Sequence, residues 1–272
     1  MSRTEFLQIR DVSKVFHPEG HATPIRVIDG VSLGVAEGEI VVFLGPSGCG
    51  KTTLMRIVGG LETRTSGEVL LEGEPVREPD RRRGMVFQAY SSFPWLTVAE
   101  NIAFGTRYRN DLDAAARAAV TRKYLTLVGL ADVAGFYPNR ISGGMRQRLA
   151  IARTLAADPE ILLMDEPFGA LDAQTREFLQ FQLLEINRAE RKTTIFVTHD
   201  VEEAVLLAHR VVVFSARPAR ILEVIPVARE LPGPRTLATK DSDAFLHLRN
   251  RILAITRREA RRAESPDLAE KS

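Results

Sequence analysis

The feature that most constrains the fold is a glycine-rich octapeptide, Gly45-Pro46-Ser47-Gly48-Cys49-Gly50-Lys51-Thr52. It fits the phosphate-binding template G-x-x-x-x-G-K-[ST] without a gap. The apolar run Ile40–Leu44 before it predicts a buried parallel strand, and residues 53–58 after it predict a helix. In that order, the N–H groups of the loop and the helix N-terminus converge on one anion. We therefore predict a nucleotide phosphate site, with Lys51 on the β- and γ-phosphates and the Thr52 hydroxyl on Mg²⁺.

Two carboxylates stand at the end of a second apolar strand. Residues 161–164 are all apolar, and Asp165 and Glu166 follow them directly. Open α/β sheets bind their ligands at the carboxyl ends of strands, so we expect Asp165 to hold Mg²⁺ and Glu166 to act as general base on an attacking water. His199 follows the apolar strand 194–197 and is a candidate for contact with the γ-phosphate. Taken alone, a histidine in that position is more often structural.

Composition excludes several other classes of protein. The chain has 272 residues, a length that suits one large domain or two small ones. Its formal net charge of +2 is too small to produce an overall electrostatic field that would attract nucleic acid. The single cysteine, Cys49, cannot form an intramolecular disulfide. Residues 1–10 lack the apolar core of a signal peptide, and no apolar run approaches the length of a membrane span. We expect a chain that does not cross a bilayer by itself.

Secondary-structure signals differ between the flanks and the middle of the chain. The flanks alternate strands and helices, whereas the middle third is helical, which predicts a helical subdomain inserted in an α/β core. Thr97 and Glu100 predict a capping box at one helix start. The predicted strands are Phe6–Arg10 as an edge strand, Arg26–Val35 with a break near Asp29-Gly30, Glu68–Leu71, Met85–Phe87, Ile161–Met164, Thr194–Val197 and Arg210–Phe214. The predicted helices are Asp113–Gly129, Met145–Ala157, Thr175–Arg188 and Val201–Ala208.

Two arginine-rich stretches leave alternatives open. The run Arg81-Arg82-Arg83 could bind an anion, but a solvated loop is the favoured interpretation. Near the C-terminus, Arg217-Pro218 and residues 231–234 resemble linker. An amphipathic helix is then predicted around residues 245–255, either packed on the core with solvated arginines, which we favour, or in contact with acidic lipid or a partner. The tail from about Glu264 is predicted to be disordered.

Taken together, these motifs resemble one family, the ATP-binding subunits of ABC transporters, over about residues 6–216. The resemblance implies that Gln88 matches the Q-loop glutamine, a catalytic residue and Mg²⁺ ligand. It implies that His199 is the switch histidine, and that Phe16 stacks on adenine. The remaining matches are the signature segment Ser142-Gly143-Gly144-Met145-Arg146-Gln147 and the D-loop Gly169-Ala170-Leu171-Asp172. The implied ATP-binding residues are Phe16, Gly45, Pro46, Ser47, Gly48, Cys49, Gly50, Lys51, Thr52 and Thr53.

The resemblance also implies a fold and its boundaries. The expected fold is α/β, a P-loop NTPase core with a parallel sheet, an antiparallel β edge and an inserted helical subdomain. We expect the ATPase domain to span residues 1–216, with the core in 1–88 and 157–216 and the helical subdomain in 89–156. Residues 217–272 are then a C-terminal extension.

Finer features resemble the importer branch that serves nitrate, taurine and alkyl sulfonates. Ile141 and Met145 replace the ends of the commonest signature, L-S-G-G-Q, and Gly169 begins the D-loop where serine is frequent. Both departures are similar to those in that branch. The segment Phe93-Pro94-Trp95-Leu96-Thr97-Val98 with Glu100-Asn101 also resembles it, as does the segment Ser215-Ala216-Arg217-Pro218. Trp95 either fills a core or forms the surface that meets the permease, and the sequence favours neither.

The family resemblance implies a catalytic assembly rather than a single working chain. Two copies form a homodimer that sandwiches two ATP molecules, with Ser142, Gly143 and Gly144 completing the ATP site of the opposing subunit. Transmembrane permease subunits and a periplasmic or extracellular solute-binding protein are the other expected partners, with no nucleic acid. The expected location is peripheral, on the cytoplasmic face of the bacterial plasma membrane. The alternatives are an exporter or lipid-transport ATPase, or a soluble ABC protein of DNA repair or translation.

Overall fold

The computed structural model of the chain describes residues 5–17, 23–87, 92–169 and 171–264, with side chains through residue 261. Its tertiary contacts form two compact units. The phosphate-loop unit comprises residues 1–79 and 193–272, and the signature unit comprises residues 80–192. The predicted boundaries of core, helical subdomain and C-terminal extension stay predictions.

The bounds of the regular elements follow the chain in order. The strands in the described part are β1 (Leu7–Phe16), β2 (Ile25–Val35), β3 (Ile40–Leu44), β4 (Ser66–Leu71), β5 (Glu74–Pro75), β6 (Arg83–Val86), β7 (Ile161–Asp165), β8 (Thr193–Thr198), β9 (Arg210–Phe214) and β10 (Ile221–Ile225). The helices there are α1 (Lys51–Val58), α2 (Val98–Gly105), α3 (Ala114–Leu127), α4 (Gly143–Ala156), α5 (Ala173–Glu190), α6 (Val201–Leu207), α7 (Val227–Glu230) and α8 (Asp243–Glu264).

An antiparallel sheet with the order β2-β1-β4-β5 forms one layer of the phosphate-loop unit. Because β1 pairs with both β2 and β4, the prediction of an edge strand at residues 6–10 was wrong. Alternation of apolar and polar residues indicates that one face of a strand is buried, but it does not indicate how many strands pair with it. The predicted break near Asp29-Gly30 is a register shift inside one continuous strand, where Gly30 adopts a φ of 62°. A local bulge of this kind keeps both halves in the sheet.

Parallel strands form the second layer of this unit. Strand β3 pairs in parallel with β8 on one side and with β9 on the other. All five residues of β3 are buried, as expected for a parallel strand covered on both faces. The predicted order of strand, glycine loop and helix is confirmed, since β3 leads through the octapeptide into α1.

The C-terminal part of the chain is more ordered than a linker. Strand β10, which the sequence analysis missed, pairs antiparallel with β9, and the preceding Arg217-Pro218 peptide is cis. Helix α8 buries Phe245, Leu248 and Ile252, and it contacts α6 and β9 within the same unit. The predicted packing of this helix on the core is therefore confirmed, whereas its Arg249 and Arg251 form ion pairs with glutamates.

The signature unit contains the parallel pair β6–β7 and the helices α2 to α5. The predicted capping box is confirmed, because the Thr97 side chain accepts from the Glu100 N–H and the Glu100 carboxylate accepts from the Thr97 N–H. The solvated-loop interpretation of the arginine run was wrong for Arg83. That residue is buried at the start of β6 and pairs with Asp80 at 3.1 Å.

Three predictions fall on residues outside the described part of the chain. These are the role of Gln88, the position of Ala170 in the D-loop, and the disorder of the tail beyond residue 264. Within the ranges that the structure describes, no helix is both long enough and apolar enough to cross a membrane.

Candidate nucleotide site

The phosphate loop leaves strand β3 at Gly45 and enters helix α1 at Lys51. Gly48 and Gly50 adopt φ angles of 72° and 125°, which residues with side chains rarely reach. Gly50 is the N-cap of α1, and no side chain caps the helix start. The first N–H groups of α1 therefore face the loop without a side-chain acceptor, the arrangement that binds an anion at a helix N-terminus.

Close backbone contacts explain why the base of this loop requires glycine. A Cβ atom at Gly45 would lie 2.9 Å from the Phe214 carbonyl oxygen, and one at Gly50 would lie 2.9 Å from the Val27 carbonyl oxygen. Distances below 3.0 Å to backbone atoms cannot be relieved by a side-chain movement. The loop is thus wedged between the end of β9 and strand β2, and a larger residue at either position would displace it.

Lys51 places its charge inside the loop. The side chain is buried, and its Nζ atom donates to the Gly45 and Pro46 carbonyl oxygens, both at 2.8 Å. Among the described residues, the partners of the Lys51 ammonium are these two carbonyl oxygens and the Cys49 Sγ atom at 3.8 Å, and no carboxylate pairs with it. A buried ammonium that has only neutral partners is a strong attractor for an anion, because burial without an opposite charge is costly. This donor set fits the phosphates of a nucleotide.

His199 lies beside the phosphate loop at the same edge of the parallel layer. Strands β3 and β8 pair in register with Leu44 opposite Thr198, so the residues that follow them, Gly45 and His199, leave neighbouring strands at the same end. His199 is exposed there, whereas the next residue, Asp200, accepts from the Glu202 and Glu203 N–H groups at the start of α6. The structure therefore brings together two of the predicted site elements.

Phe16 occupies the end of β1, opposite Ile25. Two residues farther along β2 is Val27, whose carbonyl abuts the phosphate loop. The ring of Phe16 is half-buried, and the Lys14 ammonium lies 4.5 Å from its centroid. A cation at this distance from an aromatic ring is a favourable contact.

The two predicted carboxylates stand at the end of β7 in the signature unit. Asp165 is the last residue of the strand and is buried, as predicted. Glu166 adopts a φ of 43°, in the left-handed region that costs a residue with a side chain about 1–3 kcal/mol. Its carbonyl accepts from the Gly169 N–H at 3.2 Å, which closes a tight turn after the strand. Backbone strain of this kind is concentrated at functional sites. No sequence pattern predicted the left-handed conformation of this residue.

The signature segment packs against the start of α5, the helix that follows the D-loop. Ser142 is the N-cap of α4, and its hydroxyl accepts from the Met145 N–H at 3.3 Å. A Cβ at Gly144 would lie 2.3 Å from the Thr175 Cγ2 atom on α5, so helix packing requires this glycine. Asp172 is the N-cap of α5, and hydrogen bonds from Thr175 lower the pKa of its carboxyl group. The Ser142 side chain itself remains exposed.

Trp95 does not fill a core in the described structure. It is 70% exposed, which overturns the core-filling alternative. Its ring packs beside Phe93, with 5.4 Å between centroids, and Phe93 in turn contacts Phe104 and the Arg153 guanidinium. An exposed tryptophan on an aromatic base is typical of a surface that binds a partner.

A buried asparagine that the sequence analysis did not single out as a site residue holds this aromatic loop, residues 93–97, in shape. Asn101 on α2 is fully buried. Its Oδ1 atom accepts from the Phe93 N–H at 2.8 Å, and its Nδ2 atom lies 3.1, 2.9 and 3.0 Å from the carbonyl oxygens of Phe93, Leu96 and Thr97. A single side chain thus contacts main-chain polar groups of three residues of the loop.

Comparisons with known proteins agree with these observations. Residues 28–169 match the family described as ABC transporter. The chain is 47% identical to an uncharacterized ABC transporter ATP-binding protein of Methanocaldococcus jannaschii, over 93% of this chain and 92% of that protein. It is 42% identical to an aliphatic sulfonates import ATP-binding protein, SsuB, of Bacillus cereus, over 91% of this chain and 94% of that protein. A dimeric post-hydrolysis structure of an ATP-binding cassette bound to ADP and Pi is 31% identical with a TM-score of 0.71, covering 81% of this chain and 98% of that one.

Proposed function

Because this chain belongs to the ABC transporter family as an ATP-binding and ATP-hydrolysing subunit, we propose that it powers the uptake of a small solute through separate permease chains. The observation that carries the transport part of this proposal is the aromatic loop, which presents an exposed Trp95 from a rigid base. A self-contained ATPase has no need of such a surface. The importer direction is supported by the likeness to the sulfonate import proteins.

The nucleotide is held mainly by backbone groups in this proposal. Backbone N–H groups of the non-proline residues of the loop bind phosphate oxygens, and Lys51 contributes the charge that neutralises the β- and γ-phosphates. Phe16 stacks on the adenine. The Thr52 hydroxyl and the Asp165 carboxylate are suitable oxygen ligands for Mg²⁺, with Gln88 as a further candidate. When bound, Mg²⁺ would neutralise charge that develops on the phosphates.

Glu166 is the proposed general base. Its turn after β7 projects a carboxylate from the end of a buried strand, where it can accept a proton from the attacking water. His199 is proposed to contact the γ-phosphate from the edge beside Gly45, and Gln88 to orient the water. Substituting a base should lower turnover more than nucleotide binding, because the base acts on the transition state.

The working unit is proposed to be a homodimer. Ser142, Gly143 and Gly144 stand at the start of α4, and no carboxylate stands among residues 140–148. A γ-phosphate held by the opposing chain would supply the missing anion. Support comes from the dimeric state of the similar cassette structure.

A mixed dimer tests this arrangement. Ser142→Arg should block the signature segment, and Lys51→Ala should remove the phosphate-loop charge. If the signature acts on the opposing site, a dimer of one Ser142→Arg chain with one Lys51→Ala chain keeps one site free of both lesions. We expect nucleotide trapping at that site and none in either homodimer. A mixed dimer that assembles but traps none would show that Ser142 does not act across the interface.

Aliphatic sulfonates are the proposed solute class, with taurine and nitrate as related candidates. The support is the 42% identity to sulfonate import proteins, since permease and binding protein, not this chain, select the solute. A periplasmic or extracellular solute-binding protein would deliver it, with this subunit peripheral on the cytoplasmic face of the plasma membrane. The second candidate, an exporter or lipid-transport ATPase, has no specific observation in its favour.

Growth of a deletion strain tests the uptake proposal. Without this gene, cells should fail to use alkyl sulfonates as sole sulfur source while still using sulfate. The wild-type gene should restore growth, and the Lys51→Ala gene should not. If the deletion strain grows normally on sulfonates, taurine and nitrate, the proposed solutes are wrong. If the same strain has nevertheless lost membrane-coupled ATPase activity, the transport role itself is retained.

A further inference from the structure

The phosphate loop is contacted from outside by an arginine that the preceding account does not use. Arg217 lies in the turn between β9 and β10. Its Nε and Nη2 atoms donate to the Gly48 carbonyl oxygen at 3.2 and 2.9 Å. Gly48 is the residue at the tip of the loop with a φ of 72°. The Arg217 guanidinium therefore donates two hydrogen bonds to one backbone carbonyl of the nucleotide site.

No other described group supports the tip in this way. At the base of the loop, Gly45 and Gly50 lie against the backbone of Phe214 and Val27. By contrast, the only described heavy atom within 4 Å of a Cβ placed at Gly48, apart from its chain neighbours, is the Arg217 Nη2 atom at 3.7 Å. The base is fixed by main-chain packing, whereas the tip depends on one side chain.

The backbone that carries Arg217 is itself well anchored. The Ser215 hydroxyl accepts from the Arg220 N–H at 2.9 Å and lies 2.9 Å from the Pro218 carbonyl oxygen. On the other side, the Ala219 N–H donates to the Val27 carbonyl oxygen at 2.8 Å. The turn is thus tied to the same strand, β2, that supports the base of the phosphate loop.

The Arg217 guanidinium has its charge available for the loop. In the part of the chain that the structure describes, no carboxylate pairs with it, whereas its neighbour Arg220 pairs with Asp29. A hydrogen bond from a charged donor is stronger than one between neutral groups. The positive charge also lies close to where the phosphates would bind.

Fixing the Gly48 carbonyl sets the direction of the next N–H group. In a trans peptide the C=O and the following N–H point in opposite directions. With the Gly48 oxygen held outward by Arg217, the Cys49 N–H points inward, where it reaches the Pro46 carbonyl oxygen at a long 3.3 Å. Lys51 contacts the same carbonyl. A phosphate oxygen can replace this weak acceptor with little rearrangement of the loop.

We propose that Arg217 is a positioning residue for ATP binding, which holds the tip of the phosphate loop in its nucleotide-ready form. Its contribution should appear in affinity for the nucleotide and not in the chemical step. Without the Arg217 hydrogen bonds, the tip of the loop would adopt other conformations as well. The apparent dissociation constant for ATP would rise because a smaller fraction of the chains would have a loop that can bind ATP.

The test is MgATP binding by the full chain, measured by displacement of a fluorescent ATP analogue. Arg217→Met should raise Kd about 3–10-fold, the effect of losing a charge-assisted hydrogen bond at an exposed site. Arg217→Lys keeps a charged donor and should restore part of the affinity. Arg220→Met is the matched control, since it removes an arginine from the same turn that pairs with Asp29, and its Kd should stay within about twofold.

Steady-state kinetics and melting separate positioning from other roles. Arg217→Met should raise KM for ATP with kcat within about twofold, because uniform binding is lost. The melting temperature without nucleotide should equal that of the wild type. The proposal is overturned by an unchanged Kd in Arg217→Met. It is equally overturned if kcat falls at constant KM, or if both arginine variants weaken binding alike together with a lower melting temperature.

Discussion

The phosphate loop and the aromatic loop are both short connections held in a fixed shape, but they are held in opposite ways. In the phosphate loop, glycines approach the backbone of neighbouring strands, and the buried Lys51 lies inside. The aromatic loop, by contrast, has a buried Asn101 inside and an exposed Trp95 outside. A loop that must offer its own N–H groups needs glycine and outside support. A loop that must offer a side chain can be tied down from within by an amide.

The largest expected effect comes from the charge inside the phosphate loop. Lys51→Ala should abolish detectable ATP hydrolysis, because no other buried cation lies in the described part of the loop to offset the phosphates. Radiolabelled ATP turnover by the assembled transporter measures this loss. Arg56→Ala, which removes an exposed cation from the same helix, should leave turnover unchanged. Hydrolysis near the wild-type rate in Lys51→Ala would refute the phosphate-site assignment.

A smaller but still large effect is expected at the strained turn after β7. Glu166→Gln keeps the size of the side chain and removes the base, so turnover should fall about 10²–10⁴-fold while ATP binding persists. Single-turnover hydrolysis and nucleotide binding measure the two effects separately. Glu185→Gln, at an exposed pair with Arg188, is the control. If Glu166→Gln turns over at nearly the wild-type rate, the catalytic role passes to His199.

The two loops also differ in how far the sequence predicted them. The phosphate loop was predictable because its template, the strand before it and the helix after it are all local patterns. The Thr97–Glu100 capping box was predictable for the same reason. In contrast, no local pattern predicted that Trp95 is exposed, since an aromatic residue suits a core as well as an interface.

Contacts between distant parts of the chain were beyond local patterns. Arg217 meets Gly48 across 169 positions of sequence, and the pairing of β10 with β9 depends on a turn that the sequence analysis took for linker. The left-handed Glu166 was likewise invisible, because nothing in its neighbours demands that conformation. The chemical groups of the candidate site could be predicted from the sequence, whereas the long-range contacts that position them could not.

The aromatic loop should lose its partner without losing its fold. Trp95→Ala is expected to change the free energy of unfolding by less than about 0.5 kcal/mol, because the side chain is exposed. Co-purification with the proposed permease and coupled transport should both fall. Asn101→Ala should instead lower the free energy of unfolding by about 1–3 kcal/mol, since it leaves buried polar groups unpaired. Urea unfolding of both variants makes the comparison, and a strongly destabilised Trp95→Ala would contradict a docking role.

The smallest effect is a pH dependence confined to one of the two units. Residues 80–192 contain no histidine, whereas the phosphate-loop unit contains His209, whose Nδ1 atom accepts from the Ile40 N–H at 2.9 Å. Ile40 begins the strand that leads into the phosphate loop. Only an unprotonated Nδ1 can accept this bond. The pKa of His209 lies below its ordinary value, mainly because the ring is partly buried. The charge of Glu39 opposes this lowering to a smaller extent, and the charge of Arg235 adds to it.

The sign of the expected change follows from that lowered pKa. Between the folded and the ordinary pKa of a histidine, the unfolded chain binds more protons, so the free energy of unfolding decreases as pH falls through about 6.5. Hydrogen exchange at about pH 7.5 and 5.5, corrected for intrinsic rates, should show lower protection of β3 at acid pH and little change in α2. His209→Asn keeps an acceptor at the δ position but cannot titrate, so it should weaken the pH dependence in β3. An equal loss of protection in both units, unchanged by His209→Asn, would mean that the acid response does not begin at this hydrogen bond.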